Sequence, residues 1–321
     1  MIVLPVIFVV TGLILLFRSA EYFVDSSASL ARYLGMSPLL IGMIIIGFGT
    51  SLPEMLVSVQ SAFGGNAGIA LGNAYGSNIA NIGLIVGIAA VVSPLAVHSG
   101  ILKRELPFLA LTTFLTVYFI RDLTINRLEA LILLVIFSIT LGWTIFQGRK
   151  KSSDSLYADM EQAIPLVSIN IRKTVILLSA SLLLLISSSR MLVWGAVEIA
   201  QKLGVSDLII GLTIVAIGTS LPELASSVMA ARKGEHDLAL GNILGSNLFN
   251  TLAVVGLAGT IHPLNADKKI LYRDMPVMGL LTLMLFIMSY GFGKPGRINR
   301  FEGIILITSY LVYILYLLYT I

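Results

Sequence analysis

The stretch GTSLPE at residues 49–54 returns unchanged at 218–223, and GNAYGSNIAN at 72–81 is matched by GNILGSNLFN at 241–250. Both pairs obey one offset of 169 residues, and aligning 41–81 with 210–250 needs no gap and gives 21 identities in 41 positions. Apolar composition alone yields matched Leu and Ile. Most of these matches are instead polar or helix-breaking, so the chain holds two copies of one unit.

The surrounding sequence belongs in a membrane. Of 321 residues, 57% are hydrophobic and only 12% charged, with a mean hydropathy of +0.95, against about 25% charged in soluble domains. Apolar runs long enough to span, about 20 residues each, fall near 3–24, 38–62, 68–92, 106–120, 128–147, 174–200, 208–231, 238–260, 275–292 and 303–321. The expectation is an all-α integral membrane protein of ten transmembrane helices in two inverted five-helix repeats. Residues 1–147 form the first half and 174–321 the second. The polar segment 148–173, with Arg149, Lys150, Lys151, Asp154, Asp159 and Glu161, reads as a cytoplasmic linker.

Five spans per half is an odd number, so the second copy must cross in the opposite sense. Inverted repeats of this kind belong to secondary transporters, whose site lies near the midplane between the copies, on interrupted helices. Basic residues give an independent reading of topology. With the N-terminus outside, thirteen fall in inner loops (Arg32, Lys103, Arg104, Arg149, Lys150, Lys151, Arg172, Lys173, Arg232, Lys233, Lys294, Arg297, Arg300) and six in outer ones (Arg121, Arg127, Lys202, Lys268, Lys269, Arg273). That excess predicts a multi-pass protein of the cell membrane with both termini outside. No basic stretch precedes the first apolar run, which reads as a retained span.

Several function classes drop out. There is no cysteine, so thiolate metal sites and cysteine nucleophiles are excluded, and His98, His236 and His262 fall between spans. The net charge of +4 reports orientation and gives nucleic-acid binding no support. No polar stretch is long enough for a separate soluble enzyme domain. No span carries a Ser and His dyad, a paired Asp motif or a His set for intramembrane catalysis, so no enzyme and no cofactor are expected.

Glu54 and Glu223 carry the chemistry. Each stands mid-span at repeat-equivalent positions, where a carboxylate costs roughly 2.5–3.5 kcal/mol by insertion-type estimates unless it meets a cavity, a proton or a cation. Thr50 and Ser51 precede Glu54 by four and three residues and so share its helix face, as Thr219 and Ser220 do for Glu223. Pro53 and Pro222 interrupt the local hydrogen-bond ladder, making the carbonyls around Gly47 and Ala216 candidate ligands. On the third and eighth spans Ser77 with Asn81, and Ser246 with Asn250, form matching polar pairs. Asn73, Asn78, Asn242 and Asn247 face differently and read as interhelical hydrogen-bonding groups. GNAYGSN is no phosphate loop, lacking the Lys and a preceding strand. All these ligands are oxygen, which suits hard cations such as calcium and sodium and argues against zinc or copper. Two carboxylates neutralise one calcium ion or are shared among two or three sodium ions, a basis for exchange.

GTSLPE with GN..GSN..N, twice in inverted halves of a ten-span chain, resembles the alpha repeats of the cation/calcium exchanger superfamily, most closely its prokaryotic-type sodium/calcium exchanger branch. The resemblance implies that Thr50, Ser51, Glu54, Ser77 and Asn81, with Thr219, Ser220, Glu223, Ser246 and Asn250, line the cation sites. It places calcium mainly between the two glutamates and sodium around them. It implies three sodium ions exchanged for one calcium, and the first and sixth spans moving against the second, third, seventh and eighth. Some relatives carry Asp at the position of Asn250, where an acid is linked to potassium co-transport, so no potassium requirement is expected here. The segment 148–173 is too short for the cytosolic regulatory domain of animal relatives. Calcium and sodium ions and membrane lipid are the expected partners, and the monomer is expected to suffice. A calcium/proton antiporter on the same scaffold is the nearest rival, and a cation channel the rival from another class.

Lesser features carry weaker readings. Glu21 and Arg190 are repeat-equivalent and read either as a salt bridge across the pseudo-twofold axis or as interfacial charges, whereas Glu198 and Asp25, near span ends, read as interfacial. Tyr310, Tyr313, Tyr316 and Tyr319 read as a lipid-facing or interface belt.

Overall fold

The computed structural model describes residues 3–98, 100–149, 170–204, 216–290 and 296–319. The predicted linker lies almost wholly outside the described residues, as does the start of the predicted seventh span. What is described is helical apart from two short antiparallel ribbons. The helices are α1 (Val3–Leu34), α2 (Pro38–Ile41), α3 (Phe48–Thr50), α4 (Leu52–Phe63), α5 (Ala67–Ala80), α6 (Gly87–Val92), α7 (Leu106–Phe119) and α8 (Arg127–Arg149). The second half supplies α9 (Ile171–Lys202), α10 (Ala216–Thr219), α11 (Leu221–Arg232), α12 (His236–Leu248), α13 (Val255–Ile261), α14 (Met275–Ser289) and α15 (Arg300–Tyr319). Wide π-helical turns continue the helix at Gly42–Gly47, Asn81–Val86, Ile101–Glu105, Phe249–Val254 and Ile270–Asp274.

Among the described residues seven helices are long and apolar enough to cross a membrane, or eight counting the bent pair Pro38–Thr50 with Leu52–Phe63. The predicted fourth span is the 14-residue α7, lengthened by the turn Ile101–Glu105 before it. α1 runs to Leu34, beyond the apolar run that ends near 24. Serine makes this extension affordable inside the protein, because Ser27 is buried yet its hydroxyl donates to the Phe23 carbonyl at 2.8 Å. α9 starts at Ile171, inside the segment read as linker, where Asn170 caps it by accepting from the Lys173 amide at 3.1 Å.

Two spans form the centre. The apolar window of His236–Ile261 is 100% buried and that of Ala67–Val92 72%, against 28% for Val3–Leu34 and 11% for Arg127–Phe146. The centre is drawn tight by glycine. A Cβ on Gly42 would stand 2.8 Å from the Leu238 carbonyl oxygen, and one on Gly245 2.5 Å from that of Met43. These contacts run in parallel register, so α2 and its π-turn lie beside α12 in the same direction.

The repeat-equivalent helices α1 and α9 run antiparallel instead. Gly12 meets Leu192 and Ser188, while Gly195 meets Pro5 and Val9. In that register Glu21 lies roughly two turns of helix from the level of Arg190. The salt bridge between them is therefore not made: Glu21 lies 3.4 Å from Arg18 and 3.7 Å from Lys233, and Arg190 is exposed. Glu198 pairs with Lys202 at 3.4 Å and Asp25 with Lys233 at 2.6 Å.

At the helix ends, β1 (Leu95–Val97) pairs with β4 (Gly296–Ile298), and β2 (Thr124–Ile125) with β3 (Leu264–Asn265). The tyrosine belt is corrected in part. Tyr310 and Tyr313 are buried, and Tyr313 donates to Asp274 Oδ1 at 3.0 Å. Helical spacing turns this pair inward and leaves Tyr316 and Tyr319 exposed.

Candidate functional site

The helix from Pro38 bends by 47° at Ser51. Pro53 has no N–H for the Gly49 carbonyl and its ring crowds that oxygen. The break falls at Ser51, with φ −82° and ψ 4°, and its counterpart Ser220 repeats it with φ −90° and ψ 6°. Each break delivers a carboxylate at the first turn of the following helix: Glu54 on α4 and Glu223 on α11, both 1% exposed.

Asparagine fixes both breaks in the same way. Asn73 Nδ2 donates to the Glu54 carbonyl and to Ser58 Oγ, each at 2.9 Å. At the offset of 169, Asn242 Nδ2 lies 3.2 Å from the Glu223 carbonyl and 2.7 Å from Ser227 Oγ, and also 3.0 Å from Ser226 Oγ. With its N–H groups so engaged, Asn242 turns Oδ1 toward Thr50, whose Oγ1 lies 3.2 Å away. The two halves meet again where Ser51 Oγ donates to Glu223 Oε1 at 3.2 Å.

Oxygen crowds this meeting point. Thr50 Oγ1 stands 3.0 Å from the Ile46 carbonyl, 3.4 Å from the Gly47 carbonyl and 3.2 Å from Asn242 Oδ1. One hydroxyl proton serves one of these three acceptors. The Gly47 carbonyl is not freed as the proline argument expected: it accepts from the Ser51 amide at 3.1 Å, and Ser246 Oγ lies 3.3 Å from it. Pro53 interrupts the ladder one turn later, so it bends the helix without releasing Gly47. The oxygens of Gly47, Thr50 and Ser246 nevertheless converge from two helices.

The remaining candidates sort by position. Asn81 opens a π-turn, and its Nδ2 donates to Asn247 Oδ1 at 2.9 Å, while Asn250 lies in the equivalent turn Phe249–Val254. Ser77 is buried one helical turn before Asn81. Ala216 and Thr219 begin and end α10, and Ser220 follows at the break, buried. Both oxygens of Glu54, Glu223 Oε2, Ser220 Oγ, Asn81 Oδ1 and Asn250 Oδ1 are buried without a hydrogen-bond partner. A buried carboxylate with neither oxygen satisfied is strongly unfavourable on its own. Six oxygens in this condition, two at repeat-equivalent Asn side chains, call for a dehydrated cation or for protons.

Sequence reasoning left out Asn242 and Asn247 as parts of the site. It read them as interhelical hydrogen-bonding groups, which they are, but their partners are Thr50 and Asn81. The signal was their identity with Asn73 and Asn78 at the same offset.

The family model described as sodium/calcium exchanger protein matches residues 4–146 and 173–319. The chain is 46% identical over 308 residues to the putative antiporter CaxA of Alkalimonas amylolytica, covering 96% of each. It is 31% identical over 357 residues to the sodium/calcium exchanger MaX1 of Methanosarcina acetivorans, covering 99% of this chain and 100% of that one. Among solved structures, the sodium-calcium exchanger NCX_Mj, soaked with sodium and strontium, superposes with a TM-score of 0.83 at 32% identity over 98% of both chains.

Proposed function

The chain belongs to the sodium/calcium exchanger protein family, and on that premise we propose that it exchanges sodium ions for calcium by alternating access at the site between the two breaks. One observation carries this reading: Glu54 and Glu223 are buried at repeat-equivalent positions, linked across the halves through Ser51, with three of their four carboxylate oxygens unpartnered. Calcium would sit between the carboxylates. Sodium would take the oxygens of Gly47, Thr50, Ser51, Ser77, Asn81, Ala216, Thr219, Ser220, Ser246 and Asn250.

The pattern of contacts supports ten crossings with both termini on one face, which the excess of basic residues in the opposite loops assigns to the outside. Lys233 with Asp25, His98 with Asp237, and 95–97 with 296–298 each join loops that ten crossings put inside. The ribbon of 124–125 with 264–265 and the bond from Arg127 to the Ile261 carbonyl join loops they put outside. Antiparallel α1 and α9 fit two inverted halves, divided at 148–173.

Calcium-45 uptake into sodium-loaded vesicles diluted into sodium-free medium tests the function. Uptake is expected to need the outward sodium gradient. Uptake that follows only a proton gradient moves the same site to calcium/proton exchange, since buried carboxylates also take protons. Asn81 and Asn250 are both neutral, so the sodium-driven flux is expected to be unchanged in potassium-free medium. A flux that vanishes without potassium would overturn that expectation.

A further inference from the structure

Among the described residues the helices that follow the two breaks pack alike on the central spans but differ in how they meet α1 and α9. α11 lies on α12, α6 and the π-turn Asn81–Val86, and its counterpart α4 lies correspondingly on α5, α13 and the π-turn Phe249–Val254. α11 also packs along α1, whereas α9, the counterpart of α1, barely touches α4. Exposure follows the difference: residues 225, 226 and 228–230 are buried, while their equivalents 56, 57 and 59–61 are not.

Charges hold the one-sided contact. Lys233 Nζ lies 2.6 Å from Asp25 Oδ1 and 3.7 Å from Glu21 Oε1, reaching from the end of α11 to α1. At the offset of 169 the counterparts of Glu21, Asp25 and Lys233 are Arg190, Trp194 and Gly64. Trp194 instead packs its ring on Phe8, with centroids 4.8 Å apart, and Gly64 has no side chain to offer. These counterpart residues cannot make the same ion pair.

In an inverted-repeat transporter the two end states correspond to an exchange of conformation between the halves. Contacts that both halves can make cancel in the difference between those states, and a contact open to one half alone biases the equilibrium. Resting on the alternating-access reading, we propose that Lys233, with Asp25 and Glu21, is a one-sided latch that holds the entrance between α1 and α11 shut. It sets a resting conformation in which the entrance between α4 and α9 is open. The side chain of Lys233 is 26% exposed and that of Asp25 57%, so the pair is weak enough to tilt the exchange without locking it.

The chain has no cysteine, so single Met229→Cys and Gln60→Cys substitutions report the two entrances at repeat-equivalent positions. The full chain is placed in lipid nanodiscs, where a polar maleimide reaches both faces. Adding Lys233→Ala is expected to raise labelling at 229 by about two- to fivefold and to lower labelling at 60 correspondingly. Asp25→Asn acts in the same direction and serves if Lys233→Ala fails to fold, and Lys233→Asp with Asp25→Lys restores the wild-type ratio. A rise at 229 with no fall at 60 is local loosening and overturns the latch, as does no change at either. Sodium-dependent calcium flux is measured on the same preparations. A reciprocal shift in labelling without that flux would spare the latch and remove the assigned ions.

Discussion

On the proposed exchange reading, sodium-driven calcium uptake is expected to fall by about a hundredfold or more when either Glu54 or Glu223 is replaced by Gln. Removing one partner from a buried charge assembly costs about 3–5 kcal/mol, and each 1.4 kcal/mol is a factor of ten in affinity. Glutamine keeps the shape and one carbonyl oxygen but withdraws the charge, leaving a divalent ion half neutralised at a depth where water cannot compensate. The two substitutions act alike because the backbone settings are alike: each glutamate follows a break at Ser51 or Ser220 and has its main-chain carbonyl held by Asn73 or Asn242.

The same variants separate a binding defect from a folding defect. Without ions, a buried carboxylate lacking partners is a burden on the folded state, and Gln relieves it, so Glu54→Gln is expected to melt no lower than the wild type. Calcium at a hundred times its dissociation constant stabilises the wild type by about 2.7 kcal/mol, and this increment disappears in both variants. Thermal unfolding in detergent, with and without calcium, reads both effects. Retention of sodium-dependent uptake by either variant would remove the two glutamates from the centre of the mechanism.

Much of this was legible because the chain says it twice. GTSLPE and GN..GSN..N mark the breaks, the carboxylates and the central spans by identity at one offset, and burial agrees at Glu54, Glu223, Ser246 and Asn250. Among the described residues hydropathy located the seven or eight helices long and apolar enough to cross a membrane and misjudged their ends. α1 outruns its apolar stretch because serine hydroxyls bond within their own helix, as Ser27 does to Phe23. A window that scores side chains alone does not register this. The proline argument found the bend but chose the wrong carbonyl as free, since Gly47 is held by the Ser51 amide. Glu21 and Arg190 were equivalent by offset yet remain apart, because equivalence fixes a symmetry relation and the crossing register fixes who touches. The roles of Asn242 and Asn247 required knowing which helix lies opposite, and a single sequence does not state that.

Gly245→Ala is expected to weaken calcium binding by roughly tenfold or more, although residue 245 contributes no ligand. Its Cβ would stand 2.5 Å from the Met43 carbonyl oxygen and 2.7 Å from Met43 Cα. These are backbone atoms that no rotamer change can clear, so the two central helices must part. Overpacking of this kind costs typically 1–3 kcal/mol, and here the displacement acts next to the site. Ser246 follows directly and reaches the Gly47 carbonyl at 3.3 Å, and Thr50 reaches Asn242 on the same pair of helices at 3.2 Å. An outward shift of several tenths of an ångström loosens both contacts, and a cation that needs short oxygen distances loses coordination from one side. Alanine favours the helix by about 0.8–1.0 kcal/mol over glycine, so any loss runs against local propensity and reports the crossing. Gly142→Ala on exposed α8, whose added Cβ meets nothing within 4 Å among the described residues, supplies the control and is expected to be silent. Calorimetric calcium titration of the two variants decides the matter. Equal affinities would mean that the site tolerates separation of the helices that build it, and that the glycines at this crossing serve assembly alone.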